Sequence, residues 1–374
     1  MIWNRDSRSI TTLIIVGAIA AAPSQSSLPL PTPVDGAIKL VGRMMVARAA
    51  ATATTIAGNR VLIVGGMREG GDALGEYEVF DATTNRVVAS GEIDESRSGH
   101  SATRLTDGRV LILGGYNGSY LKSAAIFDPR TSRFAPAGSM NVGRSGHTAT
   151  LLRDGTVLIT GGVGDGWSFL ASAEVYDPRT GRFTPVKSMS VARESHTATL
   201  LSDGRVLITG GHRDRRENIV VYSSTEIYDP AARQFSAGPM LTQPRHKHDA
   251  AGLADGRVLV IGGSDPRDRT RFTSAEVFDP AANRWSAVSR MRIARYKLRD
   301  TALRLRDGRV LIAGSGRFAE LFDPRTSSFT AVEGDIGQDY SFASAVLLDD
   351  GRALVLGGYD NSMRNSDGIW RFTE

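Results

Sequence analysis

A glycine pair that keeps returning constrains this chain more than any other feature. Gly-Gly stands at Gly65, Gly114, Gly161, Gly210, Gly262 and Gly357, and Gly314-Ser315 fills the one gap, at spacings of 49, 47, 49, 52, 52 and 43 residues. A period of that length marks stacked supersecondary units, so the 374 residues need not be divided among several independent cores. The same wording surrounds each pair, as in HTATLLRDGTVLITGG from His147 and HTATLLSDGRVLITGG from His196. A second phrase follows, SAEVYDPRTGRFTPVKSM from Ser172 and SAEVFDPAANRWSAVSRM from Ser274. Seven copies are present.

Each copy reads as four short strands. TATLL ends at an Asp-Gly such as Asp154-Gly155, a strong hairpin signal that turns the chain into the apolar run VLIT. Gly-Gly stops that strand, a variable loop leads to AEVYD, and an Asp-Pro turn leads to RFTPV. Because Val157, Leu158 and Ile159 are consecutive, both faces of the sheet need partners. Radial stacking of such sheets meets that need, so the expected fold is an all-β, seven-bladed β-propeller of four-stranded antiparallel blades. Phe134, Phe183, Phe235, Trp285 and Phe329 are expected to fill the wedge that widens away from the axis.

The last copy stops after GIWRFTE, one strand short, while DGAIKLVGRM from Asp35 matches a fourth strand and places Ile38 where Phe183 sits. Residues 35–47 are therefore expected to close blade 7, removing the open edge. Blades 1 to 7 are assigned to residues 48–94, 95–141, 142–190, 191–241, 242–292, 293–336 and 337–374. Ahead of them, Arg5 and Arg8 precede an apolar run from Ile10 to Ala22 that is short for a membrane span and ends in small residues. Residues 1–22 are read as a signal peptide and 23–34 as a Ser/Pro-rich linker, which implies a secreted or periplasmic protein of a bacterial envelope with no transmembrane span after cleavage.

Gly-Gly ending a strand, then Tyr or Phe before Asp, then Trp or Phe after a turn, resembles the kelch repeat. The resemblance covers nearly all of the chain after the linker. It implies a propeller like the central domain of galactose oxidase, in a family that includes scaffolds, ligand-binding modules and enzymes such as sialic acid mutarotases. Galactose oxidase needs a tyrosine cross-linked to cysteine at its copper, and this chain has no cysteine.

The missing cysteine also excludes disulfides and thiol chemistry. No zinc spacing, phosphate loop, nucleophile elbow or calcium loop occurs, so neither a metal nor a cofactor is expected. Formal charge is +5, mildly basic, with no basic run interleaved with aromatics, so nucleic acid is not an expected partner. A monomer is expected.

His100, His147, His196 and His248 share one register, seven residues before the Asp of the hairpin. Repetition points to a local hydrogen bond in each blade rather than to a catalytic ring. Arg97, Arg144, Arg193 and Arg245, three residues earlier, and Glu78, Glu174, Glu226, Glu276 and Glu320 in the third strand read as structural pairs. In these two registers blade 6 is assigned Lys297 and Asp300, and YKLRD carries two extra residues.

A single ligand must break seven-fold symmetry, so function is sought where the copies disagree. The kelch resemblance implies that the loops after Gly-Gly, and the segments before each first strand, line one end of the central channel. Carried onto this chain, it nominates Tyr116, Trp167, His212, Arg213, Arg317 and Tyr359 from the first set and His246, Lys247, Tyr296 and Tyr340 from the second. Rings stack on sugar faces and guanidinium forks grip carboxylates. The expected function is a module binding a glycan, peptide or envelope protein, neutral or anionic, through this loop face. The alternative is an enzyme acting on an acidic sugar by epimerase, mutarotase or lyase chemistry. HRDRRE from His212 and DPRDRTR from Asp265 predict a basic edge shared by blades 4 and 5.

Overall fold

A computed structural model describes residues 36–374, without the side chain of Arg216. The signal peptide, the linker and Asp35 lie outside the described residues. Seven four-stranded antiparallel sheets follow one another as blades of a propeller. Blade 3 is typical, with strands Thr148–Leu151, Val157–Thr160, Ala173–Asp177 and Arg182–Val186 in that order across the sheet. First strands of successive blades touch one another, including those of blades 7 and 1, which makes a closed inner ring around an axis.

Blade 7 is assembled from both ends. Ala37–Arg43 pairs with Gly368–Thr373, and Ile38 lies opposite Phe372 as Phe183 lies opposite Tyr176. The fourth-strand aromatics fill the outer wedge by stacking on third-strand rings, for example Phe183 on Tyr176 at 4.7 Å and Trp285 on Phe278 at 5.2 Å. All four residues of Val157–Thr160 are buried, as two-sided packing requires.

The repeated arginine and third-strand glutamate meet within blades 1, 3, 4 and 5, while Arg97 of blade 2 pairs with Glu95 at 3.4 Å. Arg48 lies 2.6 Å from Glu78, Arg144 3.0 Å from Glu174, Arg193 2.9 Å from Glu226, and Arg245 2.9 Å from Glu276. Both partners are buried, so each guanidinium also donates to backbone: Arg144 Nη1 reaches Gly161 O at 2.8 Å and Ser172 O at 3.1 Å. Glycine is required beside it, since Gly161 has φ +64° and a Cβ there would sit 2.5 Å from Arg193 O.

The histidines join neighbouring blades. His100 Nε2 shares a hydrogen bond with Thr52 Oγ1 at 2.9 Å, His147 with Ser101 at 2.9 Å, His196 with Thr148 at 3.1 Å and His248 with Thr197 at 3.2 Å. One local hydrogen bond per blade is what their common register predicts.

Blade 6 corrects the sequence register. Arg295, not Lys297, makes the buried pair, 3.0 Å from Glu320. Leu298, not Asp300, takes the histidine place, because it lies against Gly262 as His196 lies against Gly161. The two extra residues are therefore Arg299 and Asp300, inserted just before the first strand Ala302–Arg304. Asp249 of blade 5 makes the junction instead, its Oδ2 accepting from Thr301 N at 2.6 Å, Thr301 Oγ1 at 3.0 Å and Ala302 N at 3.0 Å.

Burial holds His100, His147 and His248 well below the usual histidine range and pushes His196 down to about 3. Each is neutral when folded but takes up a proton near pH 6.5 when unfolded, so below that pH the unfolded chain binds more protons. Stability is expected to fall as pH drops from 6.5 towards 3, by about 1 kcal/mol per histidine per pH unit. Asp249, pushed up to about 6 by burial, and Glu194, also pushed up, work in the opposite sense, but they are two groups against these four histidines and His212. Urea unfolding at pH 7.5 and 5.0 checks this: a loss at pH 5.0 that shrinks when His248 is replaced by Gln is expected, and equal stability at both contradicts it.

Candidate functional site

One residue from each blade rims one end of the channel. Ala50, Gly99, Gly146, Ser195, Lys247, Lys297 and Phe342 all have φ between 52° and 66°. Such a backbone costs a non-glycine residue of order 1 kcal/mol. Hydrogen bonds between neighbours hold it: Ala50 N donates to Phe342 O at 2.9 Å, Gly146 N to Gly99 O at 2.9 Å and Lys247 N to Ser195 O at 3.2 Å. Outside blade 6, each rim residue immediately follows one that bridges to the position after Gly-Gly, as Ser98 does to Tyr116, Glu194 to His212, His246 to Ser264 and Ser341 to Tyr359. The two sequence registers thus meet at the same end of the propeller.

Inside the rim lies a cavity of about 720 Å³ with residues of all seven blades on its wall. Blades 3 and 4 raise the wall with short hairpins, Val163–Gly164 with Ser168–Phe169 and His212–Arg213 with Val220–Val221. The Trp167 ring is 54% exposed, and the Arg215 guanidinium lies 3.9 Å from its centroid. Tyr120 stands 5.9 Å from Trp167 and 5.0 Å from Tyr116. The result is an aromatic wall with one cation fixed to it.

Behind this wall runs a polar chain. Glu194 Oε2 is 3.5 Å from His212 Nε2, and the Nδ1 atoms of His212 and His246 are 3.2 Å apart. His246 Nε2 lies 3.0 Å from Ser264 Oγ and 3.2 Å from Asp268 Oδ1, and Lys247 Nζ pairs with Asp268. Burial pushes His212 down to about 3, helped by His246 and Lys247, and pushes the Glu194 carboxyl up. Asp268 is held well below the carboxylate range by His246 and Lys247 despite its burial. A carboxyl held towards its protonated form beside a neutral imidazole can donate or accept a proton in the cavity. Gly146 makes room for it, since a Cβ there would lie 2.7 Å from Glu194 Oε1.

Of the ten residues nominated from sequence, Tyr116, Trp167, His212 and Lys247 line the cavity. His246 is fully buried behind His212. Tyr296 is buried with Arg271 over its ring at 4.3 Å, and Tyr359 accepts a hydrogen bond from Lys297 Nζ at 2.8 Å. Tyr340 occupies the buried-arginine register of blade 7 and Trp370 that of its glutamate, their rings 5.4 Å apart, so Tyr340 replaces an ion pair with a packed one. Arg213 and Arg317 are exposed and sit off the cavity wall, Arg213 near Asp214 at 3.5 Å and Arg317 on Asp335 at 2.9 Å. The expected basic edge is divided, because Arg215 stacks on Trp167 while Arg271 stacks on Tyr296.

Sequence reasoning missed Tyr120, Glu194 and Arg299, all on the cavity wall, and reached Arg215 there only as part of the expected basic edge. The two-residue excess in YKLRD carried a signal for Arg299. Among the described residues, no three His, Asp or Glu side chains are grouped to hold a metal ion, and no helix is long and apolar enough to cross a membrane.

The Kelch motif matches residues 96–141, 143–190 and 250–292. No curated protein matches the chain. Among solved structures it is similar to a fungal alcohol oxidase in complex with copper, with 16% identity and a TM-score of 0.71 over 91% of this chain and 76% of that one. That likeness is one of fold, which 1274 solved chains share, and carries no chemistry to this chain.

Arg215 is the largest of the cationic influences opposing the rise of the Glu194 pKa. Carbon-detected NMR of the Glu194 carboxyl is expected to show a midpoint above 4.5 that rises further in Arg215→Ala. A midpoint at or below 4.5 contradicts the burial described here.

Proposed function

The chain is a kelch-repeat β-propeller, and from that premise we propose that it is a recognition module that seats its ligand in the mouth of the channel. One observation carries this reading: the cavity of about 720 Å³ opens beside a tryptophan that leaves half its surface exposed while Arg215 fixes its position. An aromatic plane kept rigid beside polar groups suits the apolar face of a sugar ring, which stacks without losing much side-chain entropy. A glycan is therefore the favoured occupant. A peptide or an envelope protein is the alternative occupant of the same face. In keeping with the basic and apolar N-terminal segment, the site of action is proposed as the bacterial envelope, secreted or periplasmic.

The chain of groups from Glu194 through His212 and His246 to Asp268 favours a second reading, an enzyme acting on an acidic sugar. Glu194 would then be the proton donor or acceptor and His212 its support.

Thermal unfolding against neutral sugars, uronates, sialic acids and cell-wall fragments tests both. A ligand at a hundred times its Kd adds about 2.7 kcal/mol of stability. A shift that Trp167→Ala abolishes is expected. Turnover of that ligand, lost in Glu194→Gln, would select the enzyme. A shift unaffected by Trp167→Ala would overturn the assignment of the mouth.

A further inference from the structure

The first strands present small, neutral side chains to the cavity, among them Ala53, Ala102, Ala149, Ala198 and Ala250. Into this wall blade 6 inserts Arg299 and Asp300, the two residues that no other blade has at this point. Arg299 crosses to the far side, where its Nη2 donates to the carbonyl of His100 in blade 2. That single acceptor leaves most of its five N–H groups to the cavity.

The surroundings of Arg299 are unlike those of the other arginines. The six arginines buried in the blades each have a glutamate, Arg97 through Glu95 at 3.4 Å, while Arg104 has Asp349 at 3.2 Å and Arg215 has Glu194 at 3.7 Å. Among the described residues no carboxylate lies within ion-pair distance of Arg299. Asp300, next in the chain, has φ 52° and forms no ion pair with it. The carboxylate of Asp249 is occupied by Thr301 and by the amides of Ala250 and Ala302. Asp300, Asp249 and Glu194 act on Arg299 only from beyond ion-pair distance, and a guanidinium with no bonded counter-ion gains when an oxyanion arrives, its fork matching a carboxylate.

We propose that Arg299 reads a carboxylate on the ligand, fixing the orientation of a ring-bearing acid whose ring lies on the Trp167 wall. The assignment rests on the mouth of the channel being the ligand seat. It adds the chemical class of the ligand and the residue that selects it. The insertion gives a seven-fold scaffold one direction, since it places a guanidinium that bonds no carboxylate among the small side chains of the first strands.

Isothermal titration with glucuronate and with glucose, its uncharged counterpart, tests the assignment. The protein is expected to bind glucuronate saturably and glucose at least tenfold more weakly. In Arg299→Gln the preference is expected to vanish through a loss of about tenfold or more for glucuronate alone, the order expected for a hydrogen bond to a charged group. Deleting Arg299 and Asp300 together restores the spacing of blades 2 to 5, so this second variant is expected to fold and to lose the same preference. Glucuronate binding that survives both changes, or its absence in the unaltered protein, overturns the proposal. Glucose or glucuronate bound without preference but lost in Trp167→Ala would reject Arg299 alone and keep the mouth as the seat. Binding of neither sugar to any form, with no shift across the wider panel, would reject both.

Discussion

The structure depends on burying a guanidinium in nearly every blade. An arginine taken out of water is tolerated only when a carboxylate and backbone carbonyls replace its hydration. Arg144 obtains them from Glu174, Gly161 and Ser172, and so ties the segment before the first strand to the second and third strands. That bond fixes the Gly-Gly turn against the next blade, and the turn fixes the height at which the rim crosses the channel. Rim residues can then keep a left-handed backbone, because the arginine, or Tyr340 in blade 7, before them and the histidine, leucine or alanine after them are packed into the blades. Side chains at the mouth therefore stand on a rigid ring.

Repeated bonds explain the scaffold, and exceptions to them make the site. Where Asp249 replaces a hydroxyl, the junction between blades 5 and 6 no longer needs a histidine, and two residues can be added without opening the ring. Arg299 enters the channel as a result. In blade 7 the ion pair gives way to Tyr340 on Trp370, which conserves packing but frees no ligand group. Glycine on the rim in blades 2 and 3 makes way for larger neighbours, as Gly146 does for Glu194. Each departure has a local physical cause, and those of blades 2 to 6 converge on one cavity.

The blades were legible because the Asp-Gly hairpins, Gly-Gly stops and two-sided apolar strands are local signals repeated seven times. Closure by Ala37–Arg43 was legible too, since a missing strand at one end matched a spare strand at the other. The candidate site was legible only in part. Tyr116, Trp167, His212 and Lys247 were reached by their register, but register alone could not tell a side chain facing the channel from one facing the blade. Tyr340 fell on the wrong side of that ambiguity. Glu194 lies in a segment that carries no distinctive spacing, and Arg215 was legible only as a charge in HRDRRE. They meet because Glu194 bridges to His212 at the foot of the blade 4 hairpin that carries Arg215. The insertion was visible, but its placement was not, because only the contact of Leu298 with Gly262 shows which two residues are extra.

The central claim is that a ligand sits against Trp167 at the mouth of the channel. Trp285 is packed on Phe278 and Trp370 is buried in blade 7, so of these tryptophans Trp167 alone is open to a ligand. Intrinsic tryptophan fluorescence, followed while a ligand found by titration is added, reports on that side chain directly. The account predicts a saturable change in emission with the same midpoint as binding, absent in Trp167→Phe. Binding that leaves emission unchanged, or a change that persists in Trp167→Phe, would contradict it.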